Sequence, residues 1–135
     1  MIVDTSALLA ILRAEPEARS CAEAIERAPV RRLSAGTFLE AAIVIDASRD
    51  PIASRRLDDL LHAAEITIEP VTREQAQIGR DAYRDFGKGG GHPAQLNLGD
   101  CFAYALAKAM GEPLLFKGND FAHTDVTLAM GHTLE

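Results

Sequence analysis

Short apolar runs recur along this chain, each followed by a segment of helical length. That alternation constrains the fold more than any other feature of the sequence. MIVD (1–4) reads as a short buried strand, and TSALLAILRAE (5–15) then takes up helical spacing with Thr5 or Ser6 as its N-cap. Pro16 opens a second helix (16–28) and Pro29 closes it. VRRLSA (30–35) is a strand. GTFLEAAIVIDASR (36–49) is a helix with Phe38, Leu39, Ala42, Ile43 and Ile45 on its apolar side, and Pro51 opens another (51–65). ITIEPV (66–71) is a strand, and Thr72 caps the helix 72–86. The texture then changes: GKGGGHPAQLN (87–97) has four glycines and a proline in eleven residues and reads as a loop. A helix at 99–111 ends on Gly111. PLLF (113–116) is a second buried strand, GNDFAHTD (118–125) a loop, and VTLA (126–129) a final edge strand. Strands alternating with crossover helices predict an α/β domain with a short, mostly parallel sheet.

The chain has 135 residues, enough for one domain with its own core, and neither a repeat nor a linker interrupts it. Its net charge of −6 argues against a protein that merely coats nucleic acid. Cys21 and Cys101 have no metal-binding spacing and read as packed, reduced thiols of a cytoplasmic protein. The histidines (His62, His92, His123, His132) do not pair at the spacing of a helical zinc site. Asp4 interrupts the first apolar run, and no basic segment precedes it, so the start does not read as a signal peptide. No run is long enough to span a membrane. Leu134-Glu135 has the look of a cloning remnant and carries no weight.

In open α/β sheets, ligands bind beyond the carboxyl ends of the strands. Asp4 ends the first strand, and Glu40 lies in the first turn after the second. Asp100 lies in the first turn after the glycine loop, and Asp120 just past PLLF. Each has a bland reading. Asp4 can cap a helix, Glu40 can close the capping box Thr37-x-x-Glu40, Asp100 can complement a helix dipole, and Asp120 can serve a turn. Those readings do not require all four to map to one edge, whereas a divalent-cation site does. Clustered carboxylates repel and are pushed towards the neutral acid unless a cation joins them. Mg²⁺ or Mn²⁺ takes oxygen ligands and keeps waters, and so can polarise a phosphodiester and make hydroxide available.

The stretches IVDTSAL (2–8), TFLEAA (37–42), FGKGGGHPAQ (86–95), LNLGDCFAYALA (96–107) and PLLFKGNDF (113–121) resemble the motifs of the PIN-domain ribonucleases. More narrowly, they resemble the VapC toxins of bacterial VapBC toxin–antitoxin pairs, over essentially the whole chain. The resemblance implies a PIN-like α/β/α sandwich over residues 1–135. It also implies a Mg²⁺- or Mn²⁺-dependent endoribonuclease that slows translation and growth, a VapB-type antitoxin whose C-terminal segment enters the active-site groove, and a homodimer. By the same resemblance Asp4 and Asp100 hold the metal, Glu40 and Asp120 complete the cluster or hold a second ion, and Ser6, or else Thr5, supports the first aspartate. Many members carry T-x-D-x-x-F where this chain reads Lys117-Gly118-Asn119-Asp120-Phe121. Asp120 is then the counterpart of the fourth acid, Asn119 adds its amide, and Asp125 is the alternative.

If RNA is the substrate, some basic residues must meet phosphate. Lys88 and Lys117 lie in loops near the acidic edge. The arginines (Arg31, Arg32, Arg49, Arg55, Arg56, Arg80, Arg84) and Lys108 read mostly as solvated surface. The glycine loop is no phosphate-cradling Walker element, because its lysine precedes the glycines. It reads equally as a flap beside the site or as a plain connection. Two other magnesium enzymes that begin with an aspartate after the first strand do not fit. A haloacid dehalogenase-type phosphatase needs a second acid at position 6, which is serine, and a receiver domain needs paired acids and a phosphoacceptor aspartate. A catalytically silent PIN scaffold that binds RNA or a protein is the competing function.

Overall fold

A computed structural model describes residues 1–129; His132 and Leu134-Glu135 lie outside the described residues. The elements run β1 (Ile2–Val3), α1 (Thr5–Leu12), α2 (Ala18–Arg27), β2 (Arg32–Ser34), α3 (Ala35–Asp46), α4 (Pro51–Ala63), β3 (Thr67–Glu69), α5 (Arg73–Phe86), α6 (Leu98–Met110) and β4 (Leu114–Leu115). The four strands pair in parallel in the order β3-β2-β1-β4. The chain therefore moves outward from β1 through β2 to β3, then returns across the sheet to place β4 on the other side of β1. Such a reversal opens a crevice at the carboxyl ends of the central strands.

The period-two alternation of strand side chains separates two cores. Val3, Leu33 and Leu115 pack with Leu8, Cys21, Ile25, Ala41 and Leu57 beneath α1 to α4. Ile2, Leu114 and Phe116 pack with Leu96, Ala103, Leu106 and Phe121 beneath α5 and α6. Helices thus cover both faces of the sheet. Cys21 and Cys101 are both free and buried, as the sequence predicts. Among the described residues no helix is long and apolar enough to cross a membrane.

The element order follows the sequence reading, and the differences lie at the ends and on α3, where Leu39 and Ile43, read as part of its apolar side, are exposed while Ala41 and Ile45 are buried. The N-cap of α1 is Asp4, with its side chain accepting from the Ser6 amide, rather than Thr5 or Ser6. Helix α2 begins two residues after Pro16, and its N-cap Glu17 makes no side-chain cap bond. Helix α3 is capped by Ser34, so Thr37 lies inside the helix and the capping box expected with Glu40 does not form. Thr72 and Gly111 cap α5 and α6 as expected, Gly111 with φ of +64°. The edge strand expected at 126–129 reduces to one parallel bridge between Leu128 and Leu114.

The base of the glycine loop is clamped. The Lys88 amide donates to the Leu96 carbonyl, and the Leu96 amide to the Phe86 carbonyl, each at 2.8 Å. The tip between them is exposed, with Gly89 and Gly91 at φ of +93° and +79°, where other residues would be strained.

Candidate active site

Helices α1, α3 and α6 all begin at the carboxyl edge of the sheet, and each brings one acid with it. Asp4 follows β1 directly, and its amide donates to the Leu115 carbonyl of β4 at 2.9 Å. One carboxylate oxygen, Oδ2, accepts from the Ser6 hydroxyl at 2.6 Å and the Ser6 amide at 3.0 Å. The Ser6 hydroxyl in turn accepts from the Lys117 amide at 2.9 Å, so this support reaches from α1 to the segment after β4. The other oxygen, Oδ1, is buried and has no hydrogen-bond partner. An orphaned acceptor of this kind is rare in native structures and calls for a ligand or a proton. Burial, with Glu40's charge adding to it against the bonds from Ser6, raises the Asp4 carboxyl to about 6.

Asp100 occupies the third position of α6. Its carboxylate accepts from the Asn97 amide at 3.1 Å, and its own amide donates to the Asn97 side chain at 2.9 Å, a reciprocal capping box. The helix-end reading of Asp100 is therefore realised, yet it does not account for the rest of the group. Asp100 is only 8 % exposed. Burial first, and then the charges of Asp4 and Asp120, raise it to about 7 against the Asn97 bond. Among the described residues no ion pair reaches Asp4 or Asp100.

Glu40 is half-buried on α3, and its Oε1 accepts from the Thr5 hydroxyl at 2.6 Å. Ser6 and Thr5 thus divide the supporting work: Ser6 holds Asp4, and Thr5 holds Glu40. Asp120 lies on the exposed loop after β4. Buried Phe121 anchors that loop by packing edge-on against Phe116 with ring centres 5.0 Å apart. Asn119 is exposed, and its carbonyl accepts from the Ala122 amide. Asp125 is occupied elsewhere. It accepts from the Tyr104 hydroxyl at 2.5 Å and from Lys108 Nζ at 3.0 Å, and those bonds outweigh the effect of its burial and lower its carboxyl. Of the two alternatives for the fourth acid, Asp120 is the one electrostatically joined to Asp100.

The two loop lysines part company. Lys88 is exposed at the start of the glycine loop. Lys117 Nζ is bound by Glu15 at 2.6 Å with Glu17 at 3.9 Å, which raises its ammonium and ties it to the α1–α2 corner. Two arginines that read as solvated surface have structural work instead. Arg31 donates to the carbonyls of Ile25, Glu26 and Ala64 at the ends of α2 and α4. Arg32 bonds Glu69 and Glu112.

Among the described residues no three histidine, cysteine or acidic side chains form a ready-made cage for a metal ion. The donor set fits a hydrated ion instead. Mg²⁺ commonly uses one or two carboxylates and keeps its waters, and the unpartnered Oδ1 of Asp4, together with Asp100, whose carboxyl feels the Asp4 charge, offers that. The sequence reading missed two features here. The N-x-x-D spacing of Asn97 and Asp100 was a legible capping signal. The contact of Gly99 with Glu40 had no signal in the sequence, because it depends on how α3 crosses α6.

A parallel sheet in this strand order, with Asp4 and Asp120 following β1 and β4, Asp100 in the first turn of α6 and Glu40 in the second turn of α3 rather than the first turn expected from the sequence, defines a PIN domain. The PIN-domain family model matches residues 1–126. Ribonuclease VapC28 of Mycobacterium tuberculosis is 58% identical over 130 residues, covering 96% of this chain and 98% of that one. Ribonuclease VapC42 of the same species is 49% identical over 126 residues, covering 93% and 96%. The chain belongs to the PIN-domain family and, within it, to the VapC ribonucleases. Among solved structures the fold is shared with M. tuberculosis VapC20, described as a sarcin–ricin loop cleaving toxin (TM-score 0.72, 16% identity, 93% of this chain and 95% of that one). It is shared too with a toxin–antitoxin complex from Klebsiella pneumoniae (TM-score 0.65, 20% identity, 90% and 89%).

Proposed function

We propose that this protein is a Mg²⁺- or Mn²⁺-dependent endoribonuclease, the toxin of a toxin–antitoxin pair, acting in the cytoplasm as one PIN domain that spans the chain. The observation that carries the reading is the buried, half-satisfied Asp4 carboxylate beside Asp100: burial raises both acids, the Glu40 charge adds to the rise at Asp4, the Asp4 and Asp120 charges add to it at Asp100, and among the described residues no cation is paired to either. Asp4 and Asp100 would hold the metal, with Asp120 and Glu40 at its margin or on a second ion. Such an ion polarises the phosphoryl oxygen and acidifies bound water towards neutral pH.

The chain's own residues do the rest. Ser6 fixes Asp4 through Oδ2 and leaves the buried Oδ1 without a hydrogen-bond partner. Asn97 fixes Asp100 at the helix start. Glu40, held by Thr5, orients the attacking water and accepts its proton. Lys88 meets an RNA phosphate as a point charge, while Lys117 serves the corner it is paired to. With a net charge of −6, long-range steering of RNA is weak, and binding depends on the local site.

A VapB-type antitoxin is the expected protein partner, laying its C-terminal segment into the active-site groove, and the protein pairs with itself as a homodimer. The similarity to VapC ribonucleases and to a toxin–antitoxin complex supports the antitoxin.

The test is RNA cleavage by Asp4→Asn and Asp100→Asn with Mg²⁺ or Mn²⁺ supplied. Each is expected to lose on the order of 10³-fold in rate. Undiminished cleavage by both would overturn the assignment.

A further inference from the structure

We infer that Thr5 and Gly99 together form a seat for the Glu40 carboxylate and are positioning residues that act on cleavage only through it. The inference rests on the reading of Glu40 as the group that faces the attacking water. Thr5 supplies the directed half of the seat, its hydroxyl donating to Oε1 at 2.6 Å. That hydroxyl is free for this role because Asp4, and not Thr5, caps α1.

Gly99 supplies the other half by what it lacks. It is buried inside α6, and its backbone is helical, so no left-handed φ demands glycine there. Glycine in a helix costs stability relative to alanine. The reason for it is space: a Cβ at position 99 would run into both oxygens and the carboxyl carbon of Glu40, and the carboxylate, as the free end of its side chain, would be displaced from its present place. The crossing of α3 and α6 repeats the device in reverse order, since a Cβ on Gly36 of α3 would enter the ring of Phe102 on α6. Bare positions on both helices let them approach until Glu40 lies against the first turn of α6.

The chain neighbours give the seat its meaning. Thr5 follows Asp4 directly, and Gly99 precedes Asp100 directly. Glu40 is therefore held by the residues adjoining the two acids assigned to the metal, so the spacing of the three carboxylates is set by two peptide units and one hydrogen bond. A water oriented by Glu40 inherits that spacing.

The experiment uses the full chain, with Gly99→Ala and Thr5→Val each made in the unaltered protein and in Glu40→Ala, plus Thr5→Ser. Melting is followed without metal, and cleavage is followed as separate kcat and KM. Gly99→Ala is expected to change Tm about 3 °C less favourably in the unaltered protein than in Glu40→Ala, because there the Glu40 carboxylate must swing aside and give up its bond to Thr5. In the Glu40→Ala background it is expected to leave Tm unchanged or raise it, because the collision is gone and alanine favours the helix. Thr5→Val is expected to lower kcat about tenfold with KM little changed. Thr5→Ser restores kcat, and Thr5→Val adds no further loss once Glu40 is alanine. An equal change in Tm in both backgrounds, whatever its sign, or an equal multiplicative loss of kcat from Thr5→Val in both, overturns the seat. If Gly99→Ala alone does not fold, folding of the double variant with Glu40→Ala supports the seat, and failure of both overturns it. The melts need no turnover. A chain that cleaves no RNA would refute the proposed function while the melts still decide whether the seat exists.

Discussion

At the amino end of β4, Glu112 accepts from the Met1 amino group and from Arg32 Nε, each at 2.8 Å. Burial pushes that carboxyl up, and the two cations more than reverse it, leaving it lowered. At the carboxyl end of β1, Asp4 is more deeply buried, has one hydroxyl and one amide on a single oxygen, and titrates at about 6. The two acids flank opposite ends of one pair of strands, β1 and β4, and both are carboxylates; the difference is the partner. An acid matched by cations holds two elements together. An acid beside other acids costs stability until something positive arrives. The helix starts at this edge offer only partial positive charge, which lessens the cost without removing it.

The contrast can be broken first by supplying the missing charge. Mn²⁺ at a hundredfold excess over its Kd is expected to stabilise the protein by about 2.7 kcal/mol. Its apparent affinity should be higher at pH 8 than at pH 6, because Asp4 and Asp100 titrate at about 6 and about 7 and must give up protons to bind. Melting curves across a Mn²⁺ titration check this, and a flat response at both pH values would remove the distinction between the two ends.

Removing the charge tests the same point in reverse. The Asp4 carboxyl titrates at 3.8 ordinarily and at about 6 when folded, so between those values the folded chain keeps a proton the unfolded chain has released. Stability therefore falls as pH rises through that window and stays reduced above it. Asp4→Asn keeps an N-cap and carries no charge. It is expected to stabilise the metal-free protein by about 2 kcal/mol at pH 8, with the gain vanishing near pH 4. Denaturant unfolding at the two pH values measures it. Glu112→Gln should do the opposite, costing about 1.5 kcal/mol at pH 7 with cleavage unchanged. Because the folded Glu112 carboxyl is lowered, that contribution is present above the ordinary glutamate range and is lost as pH falls through the folded value. The smallest expected effect is at the exposed loop: Lys88→Ala raises KM for RNA roughly two- to fivefold and weakens its salt dependence, which rate measurements at two ionic strengths would reveal.

The acids were legible in the sequence for different reasons, and so were the errors. Asp4 stands out because it interrupts an apolar run at the carboxyl end of a strand, the edge where α/β sheets bind ligands. Asp100 stands out because a glycine-rich loop runs into a helix start. Glu40 carried a misleading local signal: Thr37-x-x-Glu40 has the spacing of a capping box, but Ser34 starts the helix earlier and frees Glu40 to reach Thr5. Lys117 and Arg31 read as available cations, and their pairing with Glu15, or with helix-end carbonyls from α2 and α4, depends on contacts between segments distant in sequence. Gly99 was invisible for the same reason. Periodicity and capping spacing report on one element at a time, whereas these residues serve the places where two elements meet.

The pairing of β1 with β4 also bears on timing. The Asp4 amide is satisfied by Leu115, and the Ser6 hydroxyl that steadies Asp4 is itself met by the Lys117 amide. The first acid of the chain is thus set in place by residues made more than a hundred positions later. While the protein is being synthesised, a nascent chain already carrying Asp4, Glu40 and Asp100 still lacks the strand that completes their arrangement. A nuclease built this way cannot have its first acid in place before β4 and the residues just behind it have been made.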